Sequence, residues 1–146
     1  MFADLLRRMT APEPETLPEP DARLALAALL VRVARSDGDY ATVEASRIDR
    51  ILVHRHGLSP FEAAKLRGEA EDLEAEAPDT VRFTRAIKDG VPLDDRIAVM
   101  KALWAVALAD GDRDAEEDGF LRLVANLLGI NDRDSALARQ AVDTGP

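Results

Sequence analysis

The chain has 146 residues, of which 47% are apolar but only 4% aromatic, and 19 basic side chains stand against 28 acidic ones for a formal charge of −9. A single domain's length of chain whose core must be Ala, Leu, Val and Ile favours packed helices over sheet, while the negative charge disfavours nucleic acid and anionic lipid as partners. The absence of Cys removes disulfides, thiolate metal sites and cysteine nucleophiles, and the longest apolar runs, Leu24 to Val31 and Ala102 to Ala109, are eight residues each, against about 20 needed to span a bilayer.

Residues 2–9 place Phe2, Leu5, Leu6 and Met9 at i, i+3, i+4 and i+7, the stripe of a short amphipathic helix. Such a stripe either folds back onto the domain or frays, or else serves as a docking helix for a partner or a membrane surface, the last with Arg7 and Arg8 beside it. Residues 11–20 follow with four prolines and three glutamates, a composition that forbids helix and favours an extended linker. Residues 1–20 are therefore read as an appendage and residues 21–142 as the domain. No secretory leader pattern opens the chain, so the cytoplasm is the expected compartment.

From Asp21 the pattern is helical throughout. Asp21 to Ser36 is apolar nearly all round, which predicts a central buried helix. Gly38 interrupts, and a second helix is expected over Thr42 to His56, stopped by Gly57. Ser59-Pro60-Phe61-Glu62 combines an N-cap, a first-turn proline and a glutamate three residues on, the signature of a capping box. A long acidic helix to about Glu76 follows, then a shorter one from Pro78 to about Gly90. Pro92-Leu93-Asp94-Asp95 introduces an apolar helix from about Asp95 to Ala109, broken by Gly111. The last pair is expected over Ala115 to Leu128, closed by Gly129, and from the N-cap Asn131 to about Val142. No stretch alternates with period two, so the fold class is all-α, with about seven helices.

Laying residues 21–39 over residues 94–112 matches nine of nineteen positions without a gap, among them Arg23/Arg96, Asp37/Asp110, Gly38/Gly111 and Asp39/Asp112. The register continues to Glu44/Glu117, and one deletion later Gly57-Leu58-Ser59 meets Gly129-Ile130-Asn131. The unit is helix, Asp-Gly-Asp turn, helix, Gly turn, capped helix. Two such units can bury each other's apolar faces about a pseudo-twofold, giving one core.

An apolar helix ending in Ala/Ser-Asp-Gly, a Glu seven residues after the Asp, and Leu-Leu-Gly-Ile at the next helix end resemble the TerB-like domain of bacterial tellurite-resistance and stress-response proteins. The resemblance covers about Asp21 to Val142 and rests on the two copies of the motif in matching context. It implies an all-helical, non-enzymatic module that works in stress or membrane-associated complexes, with a protein partner and with acidic residues proposed to bind metal. The matching positions here are Asp37, Glu44, Asp110 and Glu117. This chain departs from the pattern at Ala41, where an N-cap side chain would help, and in the heavy acid loading of its second copy.

The residues themselves leave two explanations open. Asp37 and Asp110 fall at the last turn of apolar helices, where the macrodipole disfavours a carboxylate by about 0.3–1 kcal/mol; their recurrence asks for a compensating cation or arginine. Glu44 and Glu117 fall in the first turns of the next helices, where a carboxylate is favoured and where Glu117 can also form a capping box with Asp114. Asp110-x-Asp112-x-Asp114 imitates an EF-hand, but Ala115 and Leu121 occupy the places of its glycine and its bidentate glutamate. Oxygen donors without Cys or His suit Ca²⁺ or Mg²⁺. In the rival reading the central helices run antiparallel, Arg23 pairs with Asp110 and Arg96 with Asp37, and the acidic turns serve a purely structural scaffold. His54 and His56 are read as exposed residues at a helix end, Trp104 as core, and Gly119 with its repeat mate Ser46 as close helix contacts. No nucleophile motif or phosphate loop occurs.

Overall fold

The computed structural model describes residues 21–36, 40, 42–77, 79–108 and 115–143, with only the backbone of 115–117 and 143. Among the described residues there are seven helices: α1 (Ala22–Arg35), α2 (Thr42–His56), α3 (Pro60–Glu76), α4 (Val81–Gly90), α5 (Leu93–Ala107), α6 (Ala115–Leu127) and α7 (Asp132–Asp143). No strand occurs among the described residues. The N-terminal stripe and its linker lie outside them.

Local chemistry sets most of the boundaries. Asp21 accepts the Leu24 N–H at 2.8 Å and caps α1. At α3 the Ser59 hydroxyl accepts the Glu62 N–H while the Glu62 carboxylate accepts the Ser59 N–H, the reciprocal capping box. Asn131 caps α7 by accepting the Asp134 N–H at 2.7 Å. Gly57 (φ +64°) and Gly129 (φ +77°) take the left-handed conformation that ends α2 and α6. Two starts differ from expectation: α4 begins at Val81, and α5 begins at Leu93 directly after the extended Pro92.

α1 is the axis of the molecule. Ala25 to Val31, Val33 and Ala34 are buried, so every side of the helix meets protein, and all five helices α2 to α6 pack on it. The duplication is visible in the packing: α1 leans chiefly on α3 as α5 leans chiefly on α7, and α2 reaches across to α5 as α6 reaches across to α1. Helix α4, which has no repeat mate, lies along α1 and also touches α6. Phe83, Leu29, Leu30, Ile48, Met100, Leu103 and Leu121 form the centre of one shared core.

Both central helices start at the same end. A Cβ on Gly90 would sit 3.3 Å from that of Ala22, and α5 begins three residues after Gly90. Leu26 and Val99, repeat mates, line the same small cavity of about 50 Å³. About 20 Å of helix therefore separates Arg23 from the far end of α5. Arg96 has another partner: its Nη1 donates to the Leu128 carbonyl at 2.6 Å, capping the C-terminus of α6. Arg23 holds the matching place in the first repeat, beside His56 at the end of α2. The antiparallel arrangement of the rival reading therefore does not hold: the central helices start at one end, Arg96 serves the C-terminus of α6, where a cation is favoured, and Arg23 lies near the end of α2.

Candidate functional site

Of the four sequence-predicted ligands, Glu44 alone has a described side chain. Asp37 and Asp110 lie outside the described residues, and Glu117 is placed only as backbone in the first turn of α6. Glu44 stands in the first turn of α2, shortly after the Asp-Gly-Asp segment, and is 2% exposed. An ionised carboxylate is seldom so buried without charge or hydrogen-bond compensation, and Glu44 does take part in polar interactions. Among the described residues no group of three His, Cys, Asp or Glu side chains is placed to share an ion. Glu44 is a hard oxygen donor of the kind Ca²⁺ and Mg²⁺ take.

Next to the first turn stands a network absent from the sequence reading. Arg32 Nε donates to Glu74 Oε2 at 2.9 Å, and its Nη2 reaches the carbonyls of Glu74 and Ala77, closing the C-terminus of α3. Arg35 Nη1 donates to Glu74 Oε1 at 2.6 Å. The guanidinium groups of Arg32 and Arg35 stack over Phe83 and Tyr40. Tyr40, just past the turn, donates its hydroxyl to Glu71 Oε2 at 2.8 Å. Arg67 joins Glu71 to Asp49, at 2.8 and 2.6 Å. Three arginines meet three carboxylates, so the network is neutral as a set and ties α1, α2 and α3 together.

The surroundings tune these groups. Burial, reinforced by the hydrogen bond to the Glu71 carboxylate, raises the Tyr40 phenol to about 12. The hydrogen bond to Asp49 strengthens the hold of Arg67 on its proton. His56 is shifted down, first by burial and then by Arg23 and Arg55; its Nε2 is buried without a hydrogen-bond partner. Only His54 is an exposed histidine, as both were expected to be.

The second repeat is built differently at the equivalent place. Trp104, 4% exposed and therefore core as expected, donates Nε1 to Ser135 Oγ at 3.3 Å, and Arg139 lies over its ring. A cleft of about 350 Å³ beside it is lined by Asp118, Gly119, Arg122, Asp132, Ser135 and Arg139. Gly119 is exposed, and a Cβ there would meet nothing within 4 Å. The reading of Gly119 and Ser46 as close helix contacts is therefore wrong, since Ser46 is exposed as well. Among the described residues no helix is long and apolar enough to cross a membrane.

The sequence also holds a signal outside the four predicted ligands, the basic face of α2. Arg47, Arg50, His54 and Arg55 fall at i, i+3, i+7 and i+8 on a single helix face in an otherwise acidic chain.

Comparison with known proteins gives one result: the family model described as Tellurite resistance protein TerB matches residues 23–140. No curated protein and no solved structure matches the chain.

Proposed function

The chain belongs to the Tellurite resistance protein TerB family, and from that premise we propose that it is a non-catalytic helical module of a cytoplasmic stress response that takes Ca²⁺ or Mg²⁺ at its Asp-Gly turns and engages a protein partner. The observation that carries the cation reading is Glu44: a carboxylate withdrawn from water at the head of α2, following Asp37-Gly38-Asp39. The sequence repeats the same arrangement in Asp110-Gly111-Asp112 and Glu117. Asp37 with Glu44, and Asp110 with Glu117, would hold the ion, whose charge offsets carboxylates at helix C-termini.

A second reading is favoured by the arginine network. Because Arg32, Arg35 and Arg67 already match Glu74, Glu71 and Asp49, the end of the first repeat is held without an ion, and the module is then a structural interaction scaffold.

Isothermal titration of the full chain with Ca²⁺ and Mg²⁺ separates the two. The cation reading expects saturable binding and a thermal stabilisation of about 2.7 kcal/mol at a hundredfold excess over Kd. Asp37→Asn, Asp110→Asn and Glu44→Gln should each weaken both effects. Absence of binding at millimolar ion, or destabilisation by Asp37→Asn and Asp110→Asn that is the same with and without ion, selects the scaffold.

A further inference from the structure

We propose that the open groove along α2, bordered by Pro60 of α3 and Ala102 of α5, is the docking site of the chain's own N-terminal stripe, Phe2, Leu5, Leu6 and Met9. The groove encloses about 860 Å³; Ile51, Val53, Pro60 and Ala102 contribute apolar surface, and Arg47, Arg50 and Arg55 give it a basic rim. Asp49 also lines it, but its Oδ1 is taken by Arg67 at 2.6 Å. A positive, largely apolar trough on a chain of net charge −9 calls for an occupant with an apolar face and acidic flanks. Phe61, the sequence neighbour of the lining residue Pro60, is a large ring 79% exposed.

Residues 2–9 supply the apolar face, with Arg7 and Arg8 directed away from it around the helix, and the linker supplies the acid. As a helix, residues 2–9 would be about 11 Å long, against about 12 Å of α2 from Arg47 to Arg55. The linker carries Glu13, Glu15 and Glu19 and no basic residue, so it complements the arginine rim. Its exit point is also suitable. Asp21 caps the start of α1, and Ala22 and Arg23 share a cavity with Arg55 and His56, so the linker leaves the domain at the Arg55 end of the groove. Ten extended residues at about 3.1 Å each span roughly 31 Å, ample to lay the stripe back along α2. Tethering favours this occupant over a free acidic peptide of the same chemistry, because a short linker holds the segment at an effective concentration on the order of millimolar.

Because the chain has no Cys, the substitution Ala3→Cys, outside the apolar stripe, gives a unique attachment point for a nitroxide. In the full chain, the amides of residues 47–55 and those around Ala102 should lose most of their intensity, independently of protein concentration. Leu5→Ser with Leu6→Ser in the labelled chain should restore them, and Arg47→Glu with Arg50→Glu should restore them partly. These changes fall in the appendage or at the groove rim, and an unchanged helical circular dichroism signal confirms that the fold is intact. Broadening centred on other residues, or none, overturns the proposal. So does broadening seen in a mixture of isotope-labelled chain and separately spin-labelled chain, which would make the occupant a second copy. A label effect that needs added anionic vesicles would overturn it as well, in favour of a lipid surface.

Discussion

At the scale of single residues, chemistry depends on partners far away in sequence. Tyr40 lies 31 residues from Glu71, and Arg32 lies 42 from Glu74, so no local pattern around either announces the pair. Burial and Glu71 hold the Tyr40 proton, and because Tyr40 is the only tyrosine its phenolate can be followed by absorbance without interference. We expect half-ionisation near pH 12 rather than near 10. The sign of the linkage follows: a folded-state value raised above the unfolded one stabilises the fold fully below about pH 10, and that contribution is lost as pH climbs through 12. Glu71→Gln should move the titration back toward 10, and an unshifted curve would show that burial alone is responsible. Glu44 is the complementary case. Its residue type and place after Asp-Gly-Asp were legible, whereas its nearly complete burial depends on which helices close over it.

At the scale of elements, the sequence was read well where a cap or a glycine has a local mechanism. The Ser59 capping box, the Asn131 cap and the left-handed Gly57 and Gly129 need only neighbours within four residues. Gly119 shows the limit of this logic: a glycine inside a helix signals either a close neighbour or nothing, and only the packing tells which. Since a Cβ at 119 meets open space and the backbone there is helical, Gly119→Ala should stabilise the protein by about 0.5–1 kcal/mol. Gly129→Ala should destabilise it by about 1–2 kcal/mol, because φ is +77° and Arg96 Nη1 would stand 3.2 Å from the new methyl. Urea denaturation of the two variants checks both signs; a destabilised Gly119→Ala or an unaffected Gly129→Ala would overturn the corresponding prediction. The starts of α4 and α5 were displaced because proline punctuates strongly but does not say how many residues past it the helix begins.

At the scale of the whole molecule, the two repeats share one core through α1, so they should unfold together. The single Tyr40 belongs to the first repeat and the single Trp104, 4% exposed, to the second. Denaturation followed by Trp104 fluorescence, by the near-ultraviolet signal of Tyr40 and by helical circular dichroism should therefore give coincident transitions. A separate earlier transition on either probe would show that the repeats are independent units. The sequence by itself determined that the chain is all-helical, where most helices start and stop, that it is duplicated, and that it resembles TerB, because periodicity, caps and repeats are properties of neighbouring residues. The tertiary structure alone decided that α1 and α5 begin at the same end, that Arg96 caps α6 and that Arg23 sits at the end of α2, and that Arg32, Arg35 and Arg67 are matched to Glu74, Glu71 and Asp49. Those outcomes depend on how helices cross and which ends meet, and a crossing is a compromise among all the buried side chains at once, which no single segment encodes.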